Sequence, residues 1–211
     1  MTKPIEEIRY YKPDELRATI TDGKPPMVGG LAVPYEQLSA DLGGFREKIA
    51  PGAFRATLEG GGDVRADVEH QRAVKLARRS KGSLRLADSP AGVSAEIDLP
   101  DTTVGRDTLE EVRGGLLDGM SIGFLVNAED FSVEDGETVR TVTDAVLTAV
   151  TLTQFPAYPQ TSGTVDIRSL EAWRTQQNTD ETAEKEAERV RNSNKRGREL
   201  DHPELKTLDA G

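Results

Sequence analysis

The chain contains no cysteine. That alone excludes a disulfide framework, a thiolate metal site and a cysteine nucleophile. Histidine is nearly absent as well, with only His70 and His202. A zinc site of several histidines cannot be assembled from two, so histidine-dependent chemistry in the folded part would fall to His70. No stretch approaches the roughly 18 apolar residues of a membrane span. The opening MTKPIEEIRYYKPDEL has no apolar run and no basic-then-apolar order, so it does not read as a secretory signal. The expectation is a soluble intracellular protein with no cofactor and no metal.

The 211 residues suffice for one ordinary domain and an appendage. Hydrophobic residues make up 36% and charged residues 30%, more polar than a compact globule of this length needs. Net charge is −10, which disfavours generic binding to polyphosphate. A basic run at Lys75, Arg78, Arg79 and Lys81 has no interleaved aromatics and reads as an exposed loop, not a nucleic-acid site. The acidic pairs Glu110-Glu111 and Glu129-Asp130 lack metal-ligand spacing and read as solvated helix and turn charges.

Patterning divides the chain into an arm (1–25), a domain (26–170) and a charged tail (171–211). The arm is polar, broken by prolines, and has room for one short strand. Within the domain, VGGLAVPY and VRADVEH read as strands. IAPGAF begins a short helix with Phe54, Thr57 and Leu58 on one face, ended by Gly60 to Gly62. KGSLRLADSPAGVSAEIDLP reads as a hairpin turning at Ser89-Pro90-Ala91-Gly92. Its second arm alternates Val93, Ala95, Ile97 and Leu99 with Ser94, Glu96 and Asp98. RDTLEEVRGGLLDG carries Leu109, Val112 and Leu116 at helical spacing, with Gly119 as a C-terminal break. SIGFLV is a strand, Asp135-Gly136 a hairpin turn, and TVRTVTDAVLTAVTLTQF a strand apolar on both faces, stopped by Pro156 and Pro159. Short strands with few long helices predict a mainly β (α+β) domain, closed or nearly closed as a barrel. The tail is densely charged and reads as a weakly anchored helix, with Thr182 to Val190 as its best segment, or as disordered.

A hydroxyl nucleophile needs a base to take its proton and donors to hold the oxyanion. His70 ends a strand, and Ser121 follows 51 residues later between a helix end and a strand, with Gly119 and Gly123 on either side. Taken alone, a serine in a strand and a lone histidine are ordinary structural residues. Five blocks in order change that: VGGLAVPYEQ; FREKIAPGAF; VRADVEHQRAVKLARRSKGSLRLADSPAGVSAEIDLP; DTLEEVRGGLLDGMSIGF; AVLTAVTLTQFPAYPQT. From about Val28 to Arg168 the chain resembles the prohead proteases of tailed phages. That resemblance implies a β-barrel with surrounding short helices, similar in fold to the herpesvirus capsid maturation protease. It implies a serine endopeptidase with His70 and Ser121 as catalytic residues. The enzyme would work in the bacterial cytoplasm inside the immature capsid, cutting the scaffold or the scaffolding segment of the major capsid protein, and then itself. The implied partners are that protein or segment, with the portal and a second copy of the chain as further candidates. No membrane and no specific nucleic acid are implied.

Three positions depart from the family pattern. The closing strand there carries an acid that orients the histidine, and Ala149 stands in its place; Gln71 and Ala77 depart as well. Thr151 shares the parity of Ala149, whereas Asp144 would need a bulge to face the site; both are candidates for the third member. Glu69 adjoins His70 and is expected to point away from it. The remaining readings are a slower two-residue enzyme and an inactive assembly scaffold or chaperone of the same fold.

Overall fold

The structure, a computed structural model, describes residues 5–14, 16–154 and 168–200, with no side chain at 190 or 193–200. It divides into two compact units, Met1–Asp166 and Ile167–Gly211. The expected stop at Pro156 and Pro159, and the tail beyond residue 200 with His202, lie outside the described residues.

Among its described residues the first unit contains ten strands: β1 (Glu7–Tyr11), β2 (Arg17–Thr19), β3 (Met27–Pro34), β4 (Arg46–Ile49), β5 (Arg65–Val68), β6 (Lys75–Arg78), β7 (Leu84–Ser89), β8 (Gly92–Asp98), β9 (Gly119–Glu134) and β10 (Glu137–Thr153). Two short helices join them, α1 (Arg55–Glu59) and α2 (Thr103–Arg113). The strands form two sheets. One runs β1-β9-β10-β5-β6, with β4 also paired to β10; the other runs β2-β3-β8-β7. The class is mainly β with helices, as expected. The barrel is not: among the described residues the two sheets share no strand pairing, so neither closes on the other.

Strand β10 organises the larger sheet. Strand β9 runs antiparallel along one side of it through a hairpin whose turn residues, Asp135 and Gly136, have φ of 50° and 84°. That double left-handed geometry is the tight hairpin turn that an Asp-Gly pair favours. On its other side β10 pairs in parallel first with β4 and then with β5. Flanked on both sides, its second half is buried on both faces: Leu147, Ala149, Val150, Leu152 and Thr151 are at most 1% exposed. In the smaller sheet β8 puts Val93, Ala95 and Ile97 inward, and they join Ile122, Phe124, Leu147 and Leu152 of the larger sheet in one core. The β7–β8 hairpin turns at Pro90-Ala91, between the paired Ser89 and Gly92.

Two expectations change. Helix α2 ends at Gly114, and Gly115 takes the left-handed conformation (φ 71°), so the break comes before Gly119, which opens β9. Leu116 then lies outside the helix and is 66% exposed, while Leu109 and Val112 stay buried. The N-terminal arm contributes two strands, and β1 lies against β9 for its whole length. Its inward residues are charged. Arg9 donates to Glu47 (2.7 Å) and Glu7 (2.6 Å), and Arg140 donates to Glu7 (2.8 and 2.9 Å), Glu47 (2.8 Å) and Glu129. Burial alone would lower both guanidinium pKa values, but the carboxylates around them reverse the direction, so both cations persist.

The second unit holds α3 (Arg168–Leu200). Its described side chains beyond Trp173 are exposed. Polar pairs at i,i+4 line it, including Gln176 to Asp180 (2.8 Å) and Lys185 to Glu181 (3.2 Å). Among the described residues no helix is long and apolar enough to cross a membrane.

Candidate functional site

Strand register sets the site. Residues directly opposite on neighbouring strands share a face of the sheet and lie about 4.5–5.5 Å apart. Tyr10 on β1 faces Ser121 on β9, Ser121 faces Thr151 on β10, and Thr151 faces Asp67 on β5. These four form one polar row across four strands. Their strand neighbours Met120, Ile122, Val150 and Leu152 point the other way, into the core.

His70 reaches the row by a turn at the end of β5. Glu69 and His70 both have positive φ, 50° and 56°. Each such non-glycine residue costs on the order of 1 kcal/mol or more, so the surroundings must enforce the turn. The Glu69 N–H donates to the Leu152 carbonyl (3.0 Å) and the Gln71 N–H to Val68 (2.9 Å). The Glu69 carboxylate accepts from the Thr153 hydroxyl (2.9 Å) and the Gln154 N–H (2.8 Å). Glu69 thus locks the turn to the end of β10 and is spent there.

The imidazole touches both residues that flank Ser121. Its Nδ1 lies 3.5 Å from Thr151 Oγ1, and its ring meets that of Tyr10 edge-on, centroids 5.3 Å apart. The structure therefore sets His70 against Thr151 and Tyr10, the residues paired with Ser121 on either side. Ser121 is 0% exposed. Ser121 Oγ and His70 Nε2 are buried and have no hydrogen-bond partner, so they do not bond to each other either. Native proteins rarely leave two such atoms unpaired, and catalytic hydrogen bonds are often long before substrate binds.

An acid supports this group that the sequence did not reveal. Thr151 donates to Asp67 Oδ1 at 2.5 Å, and Asp67, 2% exposed, also accepts from Arg65 Nε at 3.3 Å. Arg65 reaches on to Glu6 (3.1 Å), which also binds Arg72 (2.5 Å) and the Thr148 hydroxyl. Burial alone would raise the Glu6 pKa, but Thr148, Arg65 and Arg72 pull it below the usual carboxylate range. Burial lowers the His70 pKa, and Arg65 adds to this; Asp67, Glu69 and Glu6 pull the other way without overcoming it. The imidazole is therefore held neutral, the form a general base requires.

Other sequence candidates lie elsewhere. Asp144 does sit at a bulge, but far down β10, where it accepts from Asn127 at 3.2 Å. Ala149 shares the face of the row and pairs with Gly123 and Arg65. A Cβ on Gly123 would meet Glu6 Oε1 at 3.0 Å and Thr148 Oγ1 at 3.1 Å, so these side chains occupy the space above it. The basic run serves the fold: Arg79 caps α1 through the Thr57, Leu58 and Gly62 carbonyls, and Arg78 pairs with Asp63. A cavity of about 290 Å³ beside Pro13, Leu38 and Leu42 touches the row only at Tyr10.

The model of a known family, the caudovirus prohead serine protease, matches residues 14–176. The chain belongs to that family. Its fold is similar to that of the bacteriophage T4 capsid assembly protease, gp21, with a TM-score of 0.54 and 12% sequence identity over 74% of this chain and all of that one. No curated protein matches it. The family match begins after β1, so the strand that carries Tyr10 lies outside it.

Proposed function

We propose that this prohead protease is a serine endopeptidase with Ser121 as nucleophile and His70 as general base, acting inside the immature capsid. It cuts the scaffold, or the scaffolding segment of the major capsid protein, and then itself. The observation that supports the reading is the contact of His70 with Thr151 and Tyr10, the two register neighbours of Ser121, with Ser121 Oγ and His70 Nε2 both buried and unpaired.

In the first step His70 Nε2 takes the Ser121 hydroxyl proton as Oγ bonds to the scissile carbonyl carbon. The tetrahedral adduct collapses with cleavage of the C–N bond. The leaving amine takes the proton from Nε2, and the acyl group stays on Ser121. A water then attacks that ester, giving its proton to His70, which returns it to Ser121 Oγ as the acid departs. Ser121 is fully buried, so substrate reaches its hydroxyl only after neighbouring groups move.

Co-expression with the capsid or scaffold protein, followed by intact mass, tests this. Processing by the wild type that disappears in Ser121→Ala is the expected result. Ala149 and the complete burial of Ser121 favour a second reading, a catalytically silent assembly factor of the same fold. It predicts identical uncut masses in both samples while capsids still assemble.

A further inference from the structure

We infer that Asp67, acting through the Thr151 hydroxyl, is the positioning residue that decides which nitrogen of His70 carries the proton. The inference rests on His70 being the base of the proposed reaction. A threonine has one hydroxyl proton, and here it goes to Asp67 Oδ1 at 2.5 Å. The Thr151 oxygen can then only accept toward His70 Nδ1, 3.5 Å away. That arrangement holds the proton on Nδ1 and leaves the Nε2 lone pair free for Ser121. When His70 becomes cationic, the same chain places a buried carboxylate two hydrogen bonds from the charge. No proton moves along the chain; Asp67 and Thr151 orient and stabilise.

The placement is specific. Asp67, Thr151 and Ser121 occupy paired positions on three adjacent strands, so the acid reaches the site from β5. Ala149, on β10, lies on the same face with no polar atom in its side chain. Asp67 is 2% exposed and Thr151 0%, so neither is a solvated surface group. Arg65 is the cation that makes a buried carboxylate tolerable here. The charged groups around His70 are Asp67 and Arg65 on β5, Glu69 in the turn, and Glu6 just before β1, held by Arg65 and Arg72. Of these acids, only Asp67 has a hydrogen-bonded route to Nδ1.

Two measurements on the full chain test it. In the His202→Gln protein a single imidazole remains, and long-range ¹H–¹⁵N correlation spectra report its tautomer. The expected neutral form has Nδ1 protonated. In Thr151→Val and Asp67→Asn that preference gives way to the Nε2–H form favoured by free imidazole, and Thr151→Ser recovers it. Asp67→Asn also moves the His70 titration to lower pH, since a neighbouring negative charge has been removed; a merely structural lesion would not. The second measurement is labelling of Ser121 by a fluorophosphonate probe. It should slow roughly 10–100-fold in Asp67→Asn and Thr151→Val, less than the ~10⁴-fold seen when a directly bonded triad acid is replaced. A wild-type His70 protonated on Nε2 overturns the inference, even where a variant fails to fold. So do variants that keep both the wild-type tautomer and the labelling rate. An Nδ1–H tautomer in a wild type that never labels supports the positioning role and overturns the protease reading instead.

Discussion

Replacing Arg140 by alanine should be among the most damaging single changes outside the site. Arg140 is 1% exposed and binds three carboxylates, those of Glu7, Glu47 and Glu129. Glu7 and Glu47 have side chains only 2% exposed. With Arg140 gone, Arg9 alone faces two buried carboxylates. Removing one partner of a buried ion pair costs about 3–5 kcal/mol, because the remaining charge stays desolvated. For a domain of this size each kcal/mol moves the melting midpoint about 2–4 °C, so the fall should be roughly 6–20 °C. Urea unfolding followed by circular dichroism gives the loss directly. A double-mutant cycle with Glu7→Gln should show the two changes to be strongly non-additive, since Glu7 takes two hydrogen bonds from Arg140. The loss has a local consequence too. Glu7 and Arg9 belong to β1, so amide exchange in β1 should speed up first, and with it the hold on Tyr10 beside Ser121. A loss below about 1 kcal/mol, or simple additivity, would refute the reasoning, for it would mean that water reaches the cluster and screens it.

Three further outcomes follow from the same geometry. Thr57→Val should cost about 1–3 kcal/mol in urea unfolding, because Thr57 Oγ1 accepts from the buried Leu147 N–H (3.1 Å) and valine leaves that donor unpaired. Gly92→Ala should destabilise the smaller sheet by more than about 1 kcal/mol, since Gly92 has φ 140° and a Cβ there would collide with the Val33 carbonyl; an unchanged melting midpoint would contradict it. The acid limb of kcat/KM should lie below pH ~6.5, the ordinary histidine value, because the His70 pKa is lowered in the fold. The unfolded chain then binds the proton more readily. His70 therefore adds no penalty above pH ~6.5, and it lowers stability as pH falls from there toward its folded pKa.

Much of the fold was legible because its strands follow apolar alternation. Val93, Ala95 and Ile97 mark β8, and the two-sided apolar run marks β10 at the centre of its sheet. Strand β1 escaped the same reading because its inward residues are Glu7 and Arg9. Alternation scores them as solvent-facing, and only their partners on β4 and β10 make their burial tolerable. The absence of barrel closure depends on pairings between strands far apart in sequence, which no local pattern encodes. Helix α2 stopped early because Gly114-Gly115, not Gly119, take up the turn. At the proposed site, His70 and Ser121 are candidates through a resemblance, and Thr151 through strand parity. Asp67 was hidden for a physical reason. In VRADVEH, Val64, Ala66 and Val68 read as the inward face, which leaves Arg65 and Asp67 on the face that normally meets water. Here that face is covered, and finding Asp67 required the parallel register of β5 against β10.

The energetics of this one face argue for chemistry over packing. The row places Ser121, Thr151 and Asp67 in buried positions where apolar side chains would add stability without needing partners. Two consecutive left-handed residues, Glu69 and His70, add strain. Two buried polar atoms, Ser121 Oγ and His70 Nε2, stay unpaired, at about 1–3 kcal/mol each. The other buried polar cluster, around Arg140, is satisfied within itself and fastens β1 to β10 and β4, so it has a structural return. The bonds of the row, Thr151 to Asp67 and Glu69 to Thr153, tie β5 and the turn after it to β10 and hold the imidazole beside Thr151. Strain, desolvation and unpaired groups gathered at one point are what a working site would show, and the comparison of wild type with Ser121→Ala tests whether this one works.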